Sequence, residues 1–293
     1  MRHPADRLLR QALRRANDES PVRAGRVLNQ GVTHVTELRT ERARYVAKWL
    51  SADTPNHVAR CEAEAAGLTL LRRAESGLRL PAVAATAHGD EGALLLLEWL
   101  PVGRATPRSA ARLGEGLARL HRHTAARHGL DHDNFIGPTP QPNTRHDDWQ
   151  TFFATQRLAP MGEHLRGAGR LPRSRAAALE RLIGRLPELL AHDPAPSLLH
   201  GDLWSGNWLS LENDVAALID PAAYFGDREA DLAMTRLFGG FPAAFYDAYA
   251  AAWPLPPGAA ERQPIYNLYH LLNHLLLFGE GYAPAVDRTL SRY

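Results

Sequence analysis

The segment "HGDLWSGN", residues 200–207, carries the densest set of side chains that could do chemistry. It places Asp202 five positions before Asn207 and His200 two positions before the aspartate, which is the spacing of a phosphotransferase catalytic loop. In such a loop the aspartate accepts the proton of a substrate hydroxyl, and the asparagine amide oxygen binds a Mg²⁺ ion held on the phosphates. The alternative is a polar turn without a catalytic role, because Asp, Ser, Gly and Asn all favour turns.

A second carboxylate follows at the end of the apolar run "ALIDPA", residues 217–222. Asp220 at this strand end is suited to bind a metal ion that bridges phosphate oxygens, although an aspartate before Pro221 is also an ordinary turn signal. The chain between Asp202 and Asp220 is long enough for one hairpin, which would return Asp220 to Asn207. We therefore predict a kinase site in which Asp202 is the catalytic base and Asn207 and Asp220 bind Mg²⁺.

Lys48, in "RYVAKWL" (residues 44–50), is the only lysine among 34 basic residues. A kinase-like small lobe needs a cation on its third strand to hold the α- and β-phosphates of ATP, and a helix glutamate to orient it. Lys48 lies on the third predicted strand. The next predicted helix offers Glu62 and Glu64, and we prefer Glu64 because it shares a face with inward-pointing leucines. A general preference for arginine explains the missing lysines, but it does not explain the position of this one.

The elements that must position these side chains fall into two groups. The first reads as a helix, three strands, a helix and two strands, with a hairpin around Gly31 and a clear helical period over 57–75. The segment "PVGRATP" (101–107) ends this pattern, and the second group is mostly helical. Its predicted helices span 108–124, 147–168, 173–192, 227–238, 242–252 and 261–279. We predict a bilobal α+β fold, with an ATP-binding lobe over residues 1–100 and a catalytic lobe over 101–293.

Two further segments of the first lobe are candidates for contacts with ATP. The run "LLLLEWL" (94–100) would be the last strand and the hinge, where backbone groups of Glu98 and Leu100 would pair with the adenine edge. The loop "NQGVTH" (29–34) would cover the phosphates, with backbone N–H groups around Gly31 as donors. Both predictions depend only on where these segments lie in the predicted lobe, because any backbone offers N–H and C=O groups.

Composition and short motifs argue against several other classes of protein. The chain has 34 basic and 32 acidic residues, and the basic run at 7–15 reads as an amphipathic helix, so we expect no nucleic-acid partner. The apolar runs are too short or too interrupted to span a bilayer, so we expect no membrane contact. The single Cys61 and the lack of a signal-peptide pattern predict a cytoplasmic protein. We interpret "HRH" (121–123) as a solvated helix end and not as a metal site.

These residues and several flanking blocks resemble the fructosamine kinase family (ketosamine-3-kinases), a branch of the aminoglycoside-phosphotransferase and protein-kinase-like fold. The resemblance covers nearly the whole chain and rests on "LLHGDLWSGN", "IDPAAYFGDREADLAM", "GLDHDNFIGPTPQPNT", "WQTFFATQRL", "LFGGFP" and "LYHLLNHLLLFG". It implies ATP-dependent phosphorylation of the 3-hydroxyl of a ketosamine, followed by elimination that frees the amine. The implied cofactors are ATP and Mg²⁺, and the implied substrates are small-molecule ketosamines or glycated protein lysines. We expect a monomer.

The resemblance also implies roles for single residues beside those already given. Trp204 would stack on the sugar, although it could instead anchor the loop by packing. Asn273 and His274 on a late helix could line the substrate side, although packing explains them equally well. Asp231 would hydrogen-bond the backbone of the catalytic loop. Some members carry a cysteine in the phosphate loop that supports a redox switch, and since Cys61 lies on the predicted helix instead, we expect no such switch here.

Two other functions stay open. A kinase of the same fold that acts on an aminoglycoside or a free sugar would share the H-G-D-x-x-x-x-N core, but Trp204 and the flanking blocks argue against it. A nucleotide-binding pseudokinase that acts as a scaffold would require the loss of a catalytic group. All five groups are present in the chain: Lys48, Glu64, Asp202, Asn207 and Asp220.

Overall fold

The computed structural model describes residues 5–31 and 33–293, so Val32 of the predicted phosphate loop lies outside the described residues. The first part of the chain forms a five-stranded antiparallel sheet in the order β1-β2-β3-β5-β4. Its strands are β1 (Val22–Gln30), β2 (His34–Thr40), β3 (Arg44–Ser51), β4 (Val83–Gly89) and β5 (Gly92–Glu98). β3 is the middle strand, and Lys48 pairs there with Val35 of β2 and Leu95 of β5.

Each face of this sheet is covered by one helix. Leu94 of β5 packs in an apolar cluster with α1 (Asp6–Arg15), whereas Leu95 packs in a second cluster with α2 (His57–Arg73). Successive side chains of a strand point to opposite faces, and β5 is apolar from Ala93 to Leu97 because both of its faces are buried there. Lys48 lies directly opposite Leu95 and therefore points to the face that α2 covers.

The rest of the chain is mostly helical, with three short ladders. The helices are α3 (Pro107–His121), α4 (Trp149–Phe153), α5 (Ala159–Gly167), α6 (Arg173–Leu189), α7 (Arg228–Leu237), α8 (Ala243–Ala252), α9 (Ala259–Phe278) and α10 (Ala283–Leu290). A π-helical turn, Ala154–Leu158, joins α4 to α5. The ladders pair β6 (Asn134–Ile136) with β7 (Thr139–Gln141), β8 (Ser197–Leu199) with β11 (Tyr224–Gly226), and β9 (Trp208–Ser210) with β10 (Ala216–Leu218). None of the helices in the described part of the chain is long and apolar enough to cross a membrane.

This architecture confirms the predicted α+β class and the main elements. The six predicted helices of the second group are present, and the hairpin predicted between Asp202 and Asp220 is the β9–β10 ladder. The β6–β7 ladder was not predicted, because strands of three residues are too short to show a period. One apolar cluster contains both Leu68 of α2 and Leu113 of α3, so the sheet and the helical part share a core.

The interpretation of residues 121–123 as a solvated helix end is wrong for His121. This side chain is fully buried, with Nδ1 at 2.9 Å from the Tyr249 hydroxyl and Nε2 at 3.2 Å from Asp231 Oδ2. The reason is tertiary packing, since α8 lies along α3 and covers its last turn. His123, two positions further on, is exposed.

Candidate active site

The loop from His200 to Asn207 is held in place by a buried aspartate. Asp231, in the first turn of α7, accepts hydrogen bonds from the backbone N–H groups of His200 (2.7 Å) and Gly201 (2.9 Å). Burial would raise the pKa of Asp231, but the His121 ring and the Gly201 N–H hold it below its ordinary value. The predicted structural role of Asp231 is confirmed.

The backbone of the catalytic loop packs closely against Ala222 at Gly201, and this close approach requires a glycine. Its φ is +83°, and a Cβ at this position would lie 2.1 Å from the backbone oxygen of Ala222. We expect Gly201→Ala to lower the free energy of unfolding by more than ~1 kcal/mol, because a positive φ and a clash add together. Urea denaturation measures the change. As a control, Gly184→Ala in α6, where a Cβ meets no atom within 4 Å, should raise stability by ~0.5–1 kcal/mol. Equal effects of the two substitutions would contradict this interpretation.

Asp202 and Asn207 lie side by side, although five positions of the loop separate them. Asn207 Nδ2 donates hydrogen bonds to the Asp202 backbone oxygen (2.8 Å) and to Asp202 Oδ2 (3.3 Å). This orientation turns the amide oxygen of Asn207, the atom that a metal ion needs, away from Asp202. Burial and the negative charge of Asp220 raise the pKa of Asp202 to about 7, so its carboxylate is unusually basic and suited to accept a proton.

The β9–β10 hairpin returns Asp220 to Asn207, as predicted. The backbone N–H of Ile219 donates to the Asn207 backbone oxygen at 3.0 Å. Asp220 has a φ of +56°, a costly conformation for a residue with a side chain, and such conformations cluster at functional sites. Its side chain is 43% exposed, and Asp220 Oδ1 accepts a hydrogen bond from Lys48 Nζ.

Lys48 is a buried cation between two carboxylates. Its side chain is 11% exposed, and Nζ donates to Glu64 Oε1 at 2.6 Å in addition to Asp220. Burial would lower the pKa of Lys48, but the carboxylates of Asp220 and Glu64 outweigh burial and raise it. Glu64, and not the exposed Glu62, faces the lysine. The structure therefore brings together the two side chains that the sequence pairs.

Several predicted site residues line one cavity of about 350 Å³ between the sheet and the helical part. Those that line it are Lys48, Glu64, Asp202, Trp204, Asn207 and Asp220. Those that do not are Gly31, Glu98, Leu100, Asn273 and His274.

The predicted ATP contacts in the hinge and the phosphate loop lie outside this lining. The Gly31 N–H donates to Asn29 Oδ1 at 3.1 Å, so this N–H already has a partner within the protein, and Asn29 lines the cavity. The Glu98 N–H donates to the Ala82 backbone oxygen at 2.9 Å, which leaves its carbonyl group as the candidate for adenine. Leu100 is 5% exposed and packs in a small apolar cluster with strand β10. The ATP-binding roles of Gly31, Glu98 and Leu100 stay predictions.

The two residues of α9 are engaged in packing. Asn273 is buried, and its Oδ1 accepts a hydrogen bond from the Thr139 hydroxyl of β7 at 2.7 Å, behind the ladder that lines the cavity. The His274 ring lies among three aromatic rings, at centroid distances of 4.7 to 5.4 Å. A contact of either side chain with substrate stays a prediction.

Comparison with known proteins identifies the family. A family model described as fructosamine kinase matches residues 6–293. The chain belongs to the fructosamine kinase family. A protein of Lactiplantibacillus plantarum assigned as a ketoamine kinase is 42% identical over 251 residues, which is 85% of this chain and 88% of the relative. A relative from Escherichia coli K12 with the same assignment is 42% identical over 231 residues, 78% of this chain and 79% of the relative.

Solved structures agree with this assignment. One from Thermobifida fusca, assigned as a fructosamine-3-kinase, superposes with a TM-score of 0.86 at 33% identity and covers 96% of both chains. The aminoglycoside phosphotransferase APH(4)-Ia superposes with a TM-score of 0.64 at 14% identity over 98% of this chain and 96% of its own, which shows a shared fold alone. These matches confirm the predicted family, the protein-kinase-like fold and the prediction of an ATP-dependent kinase.

Sequence reasoning missed one wall of the site in this member of the fructosamine kinase family. Arg157 of the π turn is fully buried and donates to the Pro142 backbone oxygen (2.6 Å) and to Asn143 Oδ1 (2.8 Å). Asn143 Nδ2 donates to Asn134 Oδ1 (2.8 Å), and Asn134 Nδ2 donates to the Ala223 backbone oxygen (2.8 Å). Asn134 lines the cavity. Two sequence blocks of the family, "GLDHDNFIGPTPQPNT" and "WQTFFATQRL", therefore build one polar support for this wall.

Two side chains of α2 were also missed as parts of the site. Arg60 and Cys61 line the cavity beside Glu64. Burial raises the pKa of the Cys61 thiol to about 12, so it is not a reactive thiolate at neutral pH. The helical period of α2 could have indicated Arg60, because Arg60 and Glu64 are four positions apart and therefore share a helix face.

Proposed function

We propose that this protein transfers the terminal phosphate of ATP to the 3-hydroxyl of ketosamines, and that the phosphate ester then eliminates and frees the amine. The observation that carries the proposal is the convergence of a complete set of phosphotransfer groups in one cavity of a fructosamine kinase family member. These groups are Lys48, Glu64, Asp202, Asn207 and Asp220.

Asp202 is the general base in this proposal. Its carboxylate accepts the proton of the 3-hydroxyl while that oxygen forms a bond to the terminal phosphorus, and the bond from phosphorus to the departing ADP oxygen breaks. The burial and the neighbouring charge that raise the pKa of Asp202 favour this acceptance. Asn207 Nδ2 fixes the orientation of the carboxylate.

The oxygen donors of Asn207 and Asp220 fit Mg²⁺, a hard cation that prefers carboxylate and amide oxygens. The Asn207 amide already turns its nitrogen to Asp202, and the Asp220 carboxylate is partly exposed. When bound, Mg²⁺ supplies positive charge that offsets the charge of the phosphates. Lys48 is proposed to donate to the α- and β-phosphates, and its ion pair with Glu64 keeps it in place.

Trp204 is proposed to stack on the sugar. Its indole is 41% exposed although it lines the cavity, and it lies over Gly206, where a Cβ would come within 2.2 Å of the ring. We expect Trp204→Ala to raise the KM for fructosyl-lysine about tenfold, the scale of one lost aromatic contact, and to leave the KM for ATP nearly unchanged. Steady-state kinetics with Trp204→Phe as the matched control measures this. An unchanged KM for the sugar would identify Trp204 as a packing anchor of the loop.

A panel of acceptors tests the proposed reaction against the alternative kinases of this fold. ATP consumption would be measured with fructosyl-lysine, ribulosyl-lysine, a glycated protein and an aminoglycoside, each with wild-type enzyme and with Asp202→Ala. We expect the ketosamines to be turned over fastest, and Asp202→Ala to turn over each of them about 10²–10⁴-fold more slowly. Faster phosphorylation of the aminoglycoside would overturn the proposal.

The finer predictions belong to the same proposal. We propose that the protein is a cytoplasmic monomer acting on small-molecule ketosamines and on glycated protein lysines, with an ATP-binding lobe over residues 1–100 and a catalytic lobe over 101–293. The end of the sheet at Glu98 and the start of α3 at Pro107 support this division. Light scattering tests the oligomeric state, and the glycated protein in the panel tests the size of the acceptor.

A further inference from the structure

Arg60 is a cation in the active-site cavity without a hydrogen-bond or ion-pair partner among the described residues. It lies on α2, four residues and one helical turn before Glu64, so both side chains project from the same face. Within residues 5–31 and 33–293, the Arg60 guanidinium makes no ion pair within 4.0 Å and no hydrogen bond. Lys48, the other cation that lines the cavity, contacts two carboxylates.

The position of Arg60 has a free-energy cost that the described residues offset only in part. The side chain is half-buried, and burial lowers the pKa of the guanidinium even though Glu64 opposes this effect. An arginine nevertheless stays charged in proteins, and a charge withdrawn from water without a partner is unfavourable. Glu64, the nearest carboxylate on the same helix face, is already bound to Lys48. An anionic ligand in the cavity would supply such a partner.

The charges that line the cavity indicate which anion this is. Two cations face three carboxyl groups there. Lys48 is engaged by two of the three, so Arg60 is the lining cation that stays available to a bound triphosphate. α2 also contacts strand β6, which carries Asn134 and Phe135 of the cavity wall. Since Lys48 is proposed to hold the α- and β-phosphates, the terminal phosphate is the one left for Arg60, which lines the same cavity one helical turn from Glu64.

We infer that Arg60 binds the terminal phosphate of ATP, the group that is transferred. The inference rests on the proposed function, because it takes ATP as the phosphoryl donor. A guanidinium suits the role because its planar fork can donate to two phosphate oxygens at once. Arg60 would also stabilise the charge that the phosphoryl group carries during transfer.

Nucleotide binding without an acceptor tests this directly. Dissociation constants for AMP-PNP and ADP, each with Mg²⁺, would be measured by calorimetry for wild-type protein, Arg60→Gln and Arg60→Lys. We expect Arg60→Gln to bind AMP-PNP about 10- to 100-fold more weakly, the scale of a lost charged hydrogen bond, and to bind ADP as wild type does. Arg60→Lys should keep part of the AMP-PNP affinity. Arg73→Gln, an exposed arginine of the same helix, is the matched control and should change neither constant.

The comparison of two nucleotides separates a phosphate contact from a structural role. A general disturbance of α2 would weaken AMP-PNP and ADP equally, and that result would overturn the assignment to the terminal phosphate, as would unchanged binding of both. Turnover of fructosyl-lysine is measured separately. The Arg60 variants could show the expected changes in nucleotide affinity while the wild-type protein phosphorylates no ketosamine. That result would refute the proposed function and leave the Arg60 assignment standing.

Discussion

Asp202→Ala should lower kcat with a ketosamine acceptor by about 10²–10⁴-fold, the contribution of a positioned general base, and should leave the affinity for ATP nearly unchanged. The reason is geometric, since Asp202 contacts Asn207, whereas Lys48, the proposed phosphate-binding cation, is held by Glu64 and Asp220 and not by Asp202. Single-turnover kinetics and calorimetric ATP binding on the same preparation measure the two effects.

Two matched variants make this prediction sharper. Asp202→Asn preserves the shape and the backbone oxygen to which Asn207 donates, but its amide cannot take up the proton, so it should be about as inactive as the alanine variant. Asp247→Ala removes an exposed carboxylate of α8 and should keep full activity. Turnover that survives in both Asp202 variants would contradict the assignment of Asp202 as the base.

Lys48→Arg should reduce kcat/KM by about 10²-fold, even though the charge is kept, which corresponds to ~3 kcal/mol for a disturbed buried ion pair. The ammonium group fits between Glu64 Oε1 and Asp220 Oδ1 in a buried slot, and a guanidinium is larger and planar. Steady-state kinetics over a range of ATP concentrations should show the loss in both KM for ATP and kcat.

A reverse substitution elsewhere on the sheet provides the control for Lys48. Arg39→Lys exchanges the same two cations at an exposed residue of β2. It should leave kcat/KM unchanged. Near-normal kinetics of Lys48→Arg would mean that the single lysine is an accident of composition and not the phosphate-holding cation.

The part of the site that could be predicted from sequence depends on local periodicity. Strand parity places Lys48 on one face of β3, helical spacing places Glu64 on one face of α2, and a hairpin returns Asp220 to the loop. Each of these three placements depends on elements that follow one another in the chain or on a fixed residue spacing. The sequence pattern is therefore sufficient to predict them.

The part that could not be predicted depends on how distant elements pack. The sequence does not show that α8 covers His121, that Arg157 supports Asn143, or that Asn273 turns to Thr139 behind the cavity wall. These contacts join residues that are remote in the chain and carry no common period. The last strand was predicted over 94–100, whereas β5 ends at Glu98 and Leu100 follows it. Only the packed structure shows that the Leu100 side chain lies in the apolar cluster with β10.

Phosphorus NMR of the product tests the central claim most directly. Fructosyl-lysine, ATP and Mg²⁺ would be incubated with wild-type enzyme, and with Asp202→Ala as the inactive reference, and the new phosphate ester would be located by its coupling to the sugar protons. The proposed function predicts a single ester on the 3-hydroxyl that disappears with time as free lysine is released. An ester on another hydroxyl, or ATP hydrolysis without any ester, would contradict it.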